Sequence, residues 1–108
     1  MYEVKRREVE LPDGETITAF NCEIFGVNVM SVEAGTTGYC GGDTGHGGRT
    51  YFKIMDEGGT DITVNELENI GNGGFEVILG GDAELNSMID ALEFILQVLR
   101  DGRDGKNF

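Results

Sequence analysis

The stretch GTTGYCGGDTGHGGRT, residues 35–50, decides how this chain is organised, because so many glycines allow neither a strand nor a helix across it. Seven of its sixteen residues are glycine, and it also contains the only histidine, His46, and one of the two cysteines, Cys40. Glycine loses the most conformational freedom on folding, so a run of this kind belongs where the backbone takes positive φ values or approaches another group closely. We call residues 35–50 the glycine loop and expect it to be an ordered, functional connection.

Strand patterns lie on both sides of the glycine loop. Alternating β-branched and aromatic residues, punctuated by turn signals, predict strands and a hairpin turn. The predicted strands are Tyr2 to Leu11, Thr16 to Phe25, Val27 to Ala34, Thr50 to Met55, Asp61 to Val64 and Phe75 to Leu79, with the first turn at residues 12–15. Residues 65–70 fit either a strand or one helical turn. Phe75 to Leu79 is the most apolar of these runs, and we expect it to be central in the sheet.

A helical pattern follows the last strand. Asp82 is suited to cap the first turn and Gly102 to end the helix, which we expect to run from about Ala83 to Arg100. One apolar face is predicted to cover the sheet, and Phe94 and Val98 lie on its flank. The residues of that face are Leu85, Met88, Ile89, Leu92, Ile95, Leu96 and Leu99.

These elements together predict an α+β fold, an antiparallel β-meander of five or six strands packed against one long C-terminal helix. Residues 1–100 form a single domain and residues 101–108 a mobile polar tail. One helix leaves apolar surface without cover, so a homodimer or larger homo-oligomer is predicted. Its interface is expected at Phe94, Val98 and the second face of the sheet.

The charge of the chain limits its partners. The formal net charge is −12, which opposes binding to nucleic acid or to an anionic membrane surface. No apolar run approaches the roughly 18 residues that span a bilayer. Two cysteines are too few for a disulfide framework. We therefore expect a cytoplasmic protein without nucleic-acid or membrane partners.

The glycine loop fits a phosphate cradle better than other sites. Successive glycine amides can point at a phosphate, while a guanidinium such as that of Arg49 matches its oxygens two at a time. The spacing is neither that of a Walker loop nor that of a dinucleotide fingerprint. The predicted ligand-binding residues are Gly41, Gly42, Asp43, Thr44, Gly45, His46, Gly47, Gly48, Arg49 and Thr50. We expect no cofactor.

Other interpretations of the loop stay open. Cys40, Asp43 and His46 have the atom types that zinc accepts, but the usual paired spacings are missing. The same three residues could act as nucleophile, orienting carboxylate and base, although nothing in the sequence lowers the pKa of the Cys40 thiol. The loop could also be a purely structural connection.

The segment GTTGYCGGDTGHGGRT, followed by TYFKI and by the FEVILGGDAEL junction, resembles small uncharacterised proteins of bacteria and their phages. The resemblance covers about two thirds of the chain and implies no catalytic role. Small phage proteins of similar size include oligomeric sponges that bind cyclic-nucleotide or cyclic ADP-ribose signals, although no sponge motif is matched.

The predicted function is accordingly non-catalytic capture of a phosphate-bearing small molecule, of the nucleotide, cyclic-nucleotide or ADP-ribose type, as by a phage sponge against host defence signalling. The alternative is an acidic inhibitor or nucleic-acid mimic that blocks a basic partner.

Overall fold

The computed structural model describes residues 3–25, 29–39, 48–69 and 72–106. Six antiparallel strands and one C-terminal helix form an α+β fold, which confirms the predicted fold class. The elements are β1 (Lys5–Glu10), β2 (Thr16–Phe25), β3 (Val29–Thr36), β4 (Thr50–Gly58), β5 (Ile62–Asn69), β6 (Asn72–Leu79) and α1 (Asp82–Arg103).

Strands β1 to β4 form one sheet in the order in which they occur in the chain. The predicted turn joins β1 to β2: the Gly14 N–H donates to the Leu11 carbonyl at 2.9 Å, and Gly14 has a φ of 90°. Strand β2 has the predicted bounds, whereas β3 and β4 end two and three residues later than predicted. The predicted start of β3 at Val27 lies outside the described residues.

Strands β5 and β6 form a separate two-stranded sheet, the β5–β6 hairpin. The ambiguous residues 65–69 are part of strand β5. The prediction that Phe75 to Leu79 would be central is wrong, because among the described strands β6 pairs with β5 alone. Phe75 and Ile78 are exposed, so the apolar character of this strand does not reflect burial within the chain.

The two faces of the four-stranded sheet differ in chemistry. Met30, Val32 and Ala34 of β3 share the face that packs against α1, together with Cys22 and Ile24 of β2. Side chains alternate between faces along a strand, so the intervening residues point to the opposite side, which we call the far face. The buried residues of the far face are Ile17, Ala19, Glu33 and Gly35.

The face of α1 that packs on the sheet includes only part of the predicted one. Ile95 lies in the core, but the other buried residues are Ser87, Ala91, Val98 and Gly102. The predicted residues Met88 and Leu99 are only partly buried, and four others remain exposed. These four are Leu85, Ile89, Leu92 and Leu96. The buried face thus combines small residues with Ile95 and Val98, and the exposed leucines and Ile89 lie on another side of the helix.

The predicted interface remains a prediction, but the structure gives its two named helix residues contacts within the chain. Val98 belongs to the core of the chain and Phe94 packs against that core. Neither residue is therefore an open flank of the helix.

Both helix ends differ from the prediction. Gly81, with a φ of 114°, is the N-cap and Asp82 is already helical, so no side chain caps the first turn. The helix continues to Arg103, and Gly102 is buried within its last turn. The first three residues of the predicted mobile tail are thus helical. No helix among the described residues has the length and apolar character needed to cross a membrane.

Candidate functional site

The glycine loop connects β3 to β4 at one end of the four-stranded sheet. The predicted ligand residues Gly41 to Gly47 lie outside the described residues, as does Cys40, so the proposed metal or nucleophile set of Cys40, Asp43 and His46 does too. The predicted site residues that the structure describes are Gly48, Arg49 and Thr50. They form one side of the base of the loop.

The base of the loop is closed by a set of hydrogen bonds that we call the neck. The Thr37 N–H donates to the Arg49 carbonyl at 3.0 Å, and the Arg49 N–H donates to Thr37 Oγ1 at 2.8 Å. The Thr36 hydroxyl also donates to the Arg49 carbonyl at 3.0 Å and accepts from the Gly38 N–H at 3.0 Å. Two threonines thus continue the pairing of β3 with β4 beyond the end of the sheet.

Gly48 is required at the neck for steric reasons. A Cβ atom on this residue would overlap the carbonyl oxygen of Gly38 and approach Thr37 Oγ1 to 2.9 Å. The two segments at the base of the loop therefore pass each other with their backbones in contact, and only glycine permits this. This accounts for at least one of the seven glycines without any ligand.

The Arg49 side chain ties the neck to the turn between β1 and β2. Its Nε lies 2.7 Å from Asp13 Oδ2 and 2.9 Å from Glu15 Oε2. The hydrogen bond from Arg49, supported by the Glu15 N–H, lowers the pKa of Asp13. The guanidinium predicted to hold a phosphate is thus already shared by two carboxylates, which the sequence did not indicate.

A second polar site lies on the far face, centred on Glu33 of β3. Only 2% of this residue is exposed. Arg7 donates to both carboxylate oxygens, from Nε and from a terminal nitrogen, at 2.6 Å each. The Tyr51 hydroxyl donates at 2.7 Å and the Asn21 amide at 3.0 Å, while Lys53 Nζ is 3.8 Å away. We call these five residues the Glu33 cluster.

The Glu33 cluster fixes the protonation states of its members. The hydrogen bonds from Arg7 outweigh the cost of burial and hold the pKa of Glu33 at about 2. Burial, together with the Glu33 carboxylate, raises the pKa of Tyr51 to about 12, and the same carboxylate raises the pKa of Arg7. At neutral pH Glu33 is therefore a carboxylate, Arg7 a guanidinium and Tyr51 a neutral phenol, and these fixed states suit positioning and do not suit proton transfer.

Sequence reasoning missed the Glu33 cluster, because its members come from four strands. The signal available was the alternation of β3, where Glu33 interrupts an apolar run between Val32 and Ala34. Its partners depend on register: Glu33 pairs with Asn21 on one side and with Lys53 on the other. That register was not readable without the bounds of β3 and β4.

An apolar groove of about 420 Å³ separates β4 from the β5–β6 hairpin. Phe52 of β4 and Phe75 of β6 meet across it with ring centroids 6.0 Å apart. Ile54, Ile62, Val64 and Val77 complete the apolar lining. Phe52 and Ile54 lie on the helix side of β4, away from the Glu33 cluster.

Among the described residues, no three side chains of metal-ligating type come together. Cys22 is a free thiol in the core, and burial raises its pKa.

The chain matches no protein-family model, no curated protein and no solved structure. Functional inference for this chain therefore depends on its own geometry.

Proposed function

We propose that this protein captures a phosphate-bearing small molecule at the glycine loop without turning it over. The ligand class is that of nucleotides, cyclic nucleotides and ADP-ribose-type signals. The observation that supports the proposal is the neck: a glycine-rich segment leaves and re-enters the sheet between Thr37 and Arg49 through hydrogen bonds of 3.0 and 2.8 Å. A cradle of backbone amides needs such a fixed base to be arranged before the ligand binds.

Cations lie on the far face of the sheet and at the neck. The register of β1 with β2 places Lys5 and Arg7 on the far face. The register of β3 with β4 places Lys53 on the same face. With Arg49 at the neck, these are four of the eight lysines and arginines. In a chain of net charge −12, an anion is attracted only where cations are locally concentrated.

Asp13 and Glu15 give Arg49 a second role in this proposal. They orient its guanidinium through Nε, and they also repel an incoming phosphate. A phosphate must therefore compete with two carboxylates, so the ligand should be one with more than one anionic group or with a base or sugar that adds contacts.

Because the two carboxylates compete with the phosphate for Arg49, removing Arg49 and removing the carboxylates should change the affinity for the ligand in opposite directions. Calorimetry would compare wild type, Arg49→Gln and the double variant Asp13→Asn/Glu15→Gln against ATP, cyclic AMP, cyclic dinucleotides and ADP-ribose. A charge-assisted contact is worth about 1.5–3 kcal/mol, so Arg49→Gln should weaken binding roughly 10- to 150-fold. The double variant should bind tighter, by roughly tenfold.

The matched control is Glu57→Gln/Glu68→Gln, which removes two exposed charges elsewhere. It should change affinity much less than Asp13→Asn/Glu15→Gln, because exposed charges beyond about 10 Å are screened. Absence of binding by wild type to every compound of the panel would overturn the proposal. So would equal affinities in wild type and Arg49→Gln.

The alternative function is inhibition of a basic partner. Among the carboxylates of the described residues only Glu33 is buried, so the others present an acidic surface suited to a basic groove. This function predicts no phosphate ligand, together with salt-sensitive binding to a nucleic-acid-binding protein. A pull-down at about 50 mM salt, where screening is weak, that recovers no basic protein would exclude it.

A further inference from the structure

Four large apolar side chains form a continuous line on α1 that the described part of the chain leaves exposed. Leu85, Ile89, Leu92 and Leu96 are exposed by 60%, 45%, 53% and 47%, respectively. Their spacings of four, three and four residues place them on one side of a helix. We call these residues the helix stripe. The half-buried Leu99 continues it.

The spacing of the helix stripe is that of the apolar seam of a coiled coil. A seam with intervals of four and three residues packs best against another helix with the same intervals. The buried face of α1 uses other residues, among them Ala91, Ile95 and Val98. The stripe is therefore not required for the core of the chain, and its apolar character needs a separate explanation.

Charges at the two ends of α1 define the partner. The first turn carries Asp82 and Glu84, and the last turn carries Arg100 and Arg103. An antiparallel copy of the same helix would bring the acidic first turn of each copy to the basic last turn of the other, with opposed helix dipoles. The midpoint of α1 lies between Leu92 and Glu93, so Ile89 would meet Leu96 of the second copy.

We propose that the protein forms a homodimer in which the helix stripes of two copies pack antiparallel across a two-fold axis near Leu92. This inference does not depend on the proposed ligand. A helix of 22 residues is about 33 Å long and about 10 Å wide, which gives on the order of 300 Å² per copy. A standard interface offers about 800 Å² per partner.

The dimer is therefore weak and depends on concentration, with a dissociation constant of about 10–100 µM, as expected for an interface below the standard size. Each copy also carries a net charge of −12, and the mutual repulsion weakens the dimer further at low salt, where screening is small.

Sedimentation velocity from about 1 to 500 µM, a range that brackets the expected constant, tests the proposal. Wild type should shift from monomer to dimer. Leu92→Asp places a charge beside the axis in both copies and should leave a monomer throughout. Leu67→Asp is the matched control, because Leu67 is exposed by 46% in the β5–β6 hairpin, and it should dimerise like wild type. A wild type that stays monomeric at every concentration, or a Leu92→Asp variant that dimerises normally, overturns the proposal.

Exchange of charges tests the antiparallel arrangement. Arg103 also contacts Asp104 of its own chain, so the contribution of Arg103 to dimer affinity should be partial. Asp82→Arg alone and Arg103→Asp alone should each weaken dimerisation severalfold, and the double variant should restore it. In a parallel pair like residues would face each other, and the double variant would give no rescue. That result would contradict the antiparallel dimer.

Discussion

At the scale of single residues, Glu33 shows how a carboxylate can be almost fully buried and still charged. Its two oxygens accept four hydrogen bonds, from Arg7, Asn21 and Tyr51. Breaking a buried ion pair by removing one partner typically costs about 3–5 kcal/mol, because the remaining group is left without compensation. The cluster therefore links four strands through one side chain.

The depressed pKa of Glu33 predicts a specific dependence of stability on pH. The pKa is about 2 in the folded chain against an ordinary value of 4.5, a difference that corresponds to about 3 kcal/mol. Because the folded value is the lower one, this stability is fully present above about pH 4.5 and is lost as the pH falls towards 2. The free energy of unfolding of wild type should thus exceed that of Glu33→Gln at pH 6, and the gap should narrow by pH 3.

Urea unfolding of both proteins between pH 3 and pH 7 measures that gap. Glu23→Gln serves as the control, because Glu23 is exposed on the same far face. The free energy of unfolding of Glu23→Gln should differ little from that of wild type at every pH. A gap for Glu33→Gln that does not change with pH would contradict the charged state assigned to this carboxylate.

At the scale of elements, α1 packs on the sheet through a face that combines Ala91 with Ile95 and Val98. Ala91 is fully buried against the sheet, whereas its neighbour Leu92 is 53% exposed. Ala91→Leu should therefore destabilise the fold by about 1–3 kcal/mol through overpacking. Leu92→Ala should change the free energy of unfolding far less. Thermal or urea unfolding compares the two variants at about 1 µM protein, below the expected dissociation constant of the dimer. If Leu92→Ala destabilises the chain as much as Ala91→Leu or more, the buried face of the helix is misassigned.

The elements also show what the sequence could predict. Turn residues 12–15 and the β-branched run of β2 determine local structure, so the bounds of β2 followed from the sequence alone. The buried face of α1 could not be predicted in this way, because the apolar residues of the helix span more than one of its sides. Only the packing against β3 selects Ala91 over Leu92. The glycine loop could be recognised in the sequence as a candidate site, but the contacts of Arg49 with Asp13 and Glu15 could not, because they join residues far apart in the chain.

At the scale of the whole molecule, the β5–β6 hairpin stands apart from the four-stranded sheet. Two-stranded hairpins are marginally stable by themselves, and Val64 and Phe75 are more than half exposed. Gly59 and Gly81, both with positive φ, lie where the chain enters and leaves the hairpin region.

We expect hydrogen exchange to be faster in this hairpin than in β2 and β3, since few buried contacts mean a low free energy of local opening. Exchange measured by mass spectrometry on peptides from residues 62–79 and 16–36 tests this. Equal protection of the two regions would contradict the expectation and would indicate that the hairpin opens only with the rest of the chain.

The Glu33 cluster has a consequence for how the strands find their partners during folding. A slip of β3 by one residue against β2 and β4 would move every side chain of β3 to the other face. Glu33 would then enter the apolar layer beneath α1 and lose Arg7, Asn21 and Tyr51 together, while Val32 and Ala34 would lie among charges. Two-residue slips would keep the faces but separate the carboxylate from its donors. A single buried charge thus penalises each mispaired sheet, and the native alignment of four strands is the one in which that charge is fully satisfied.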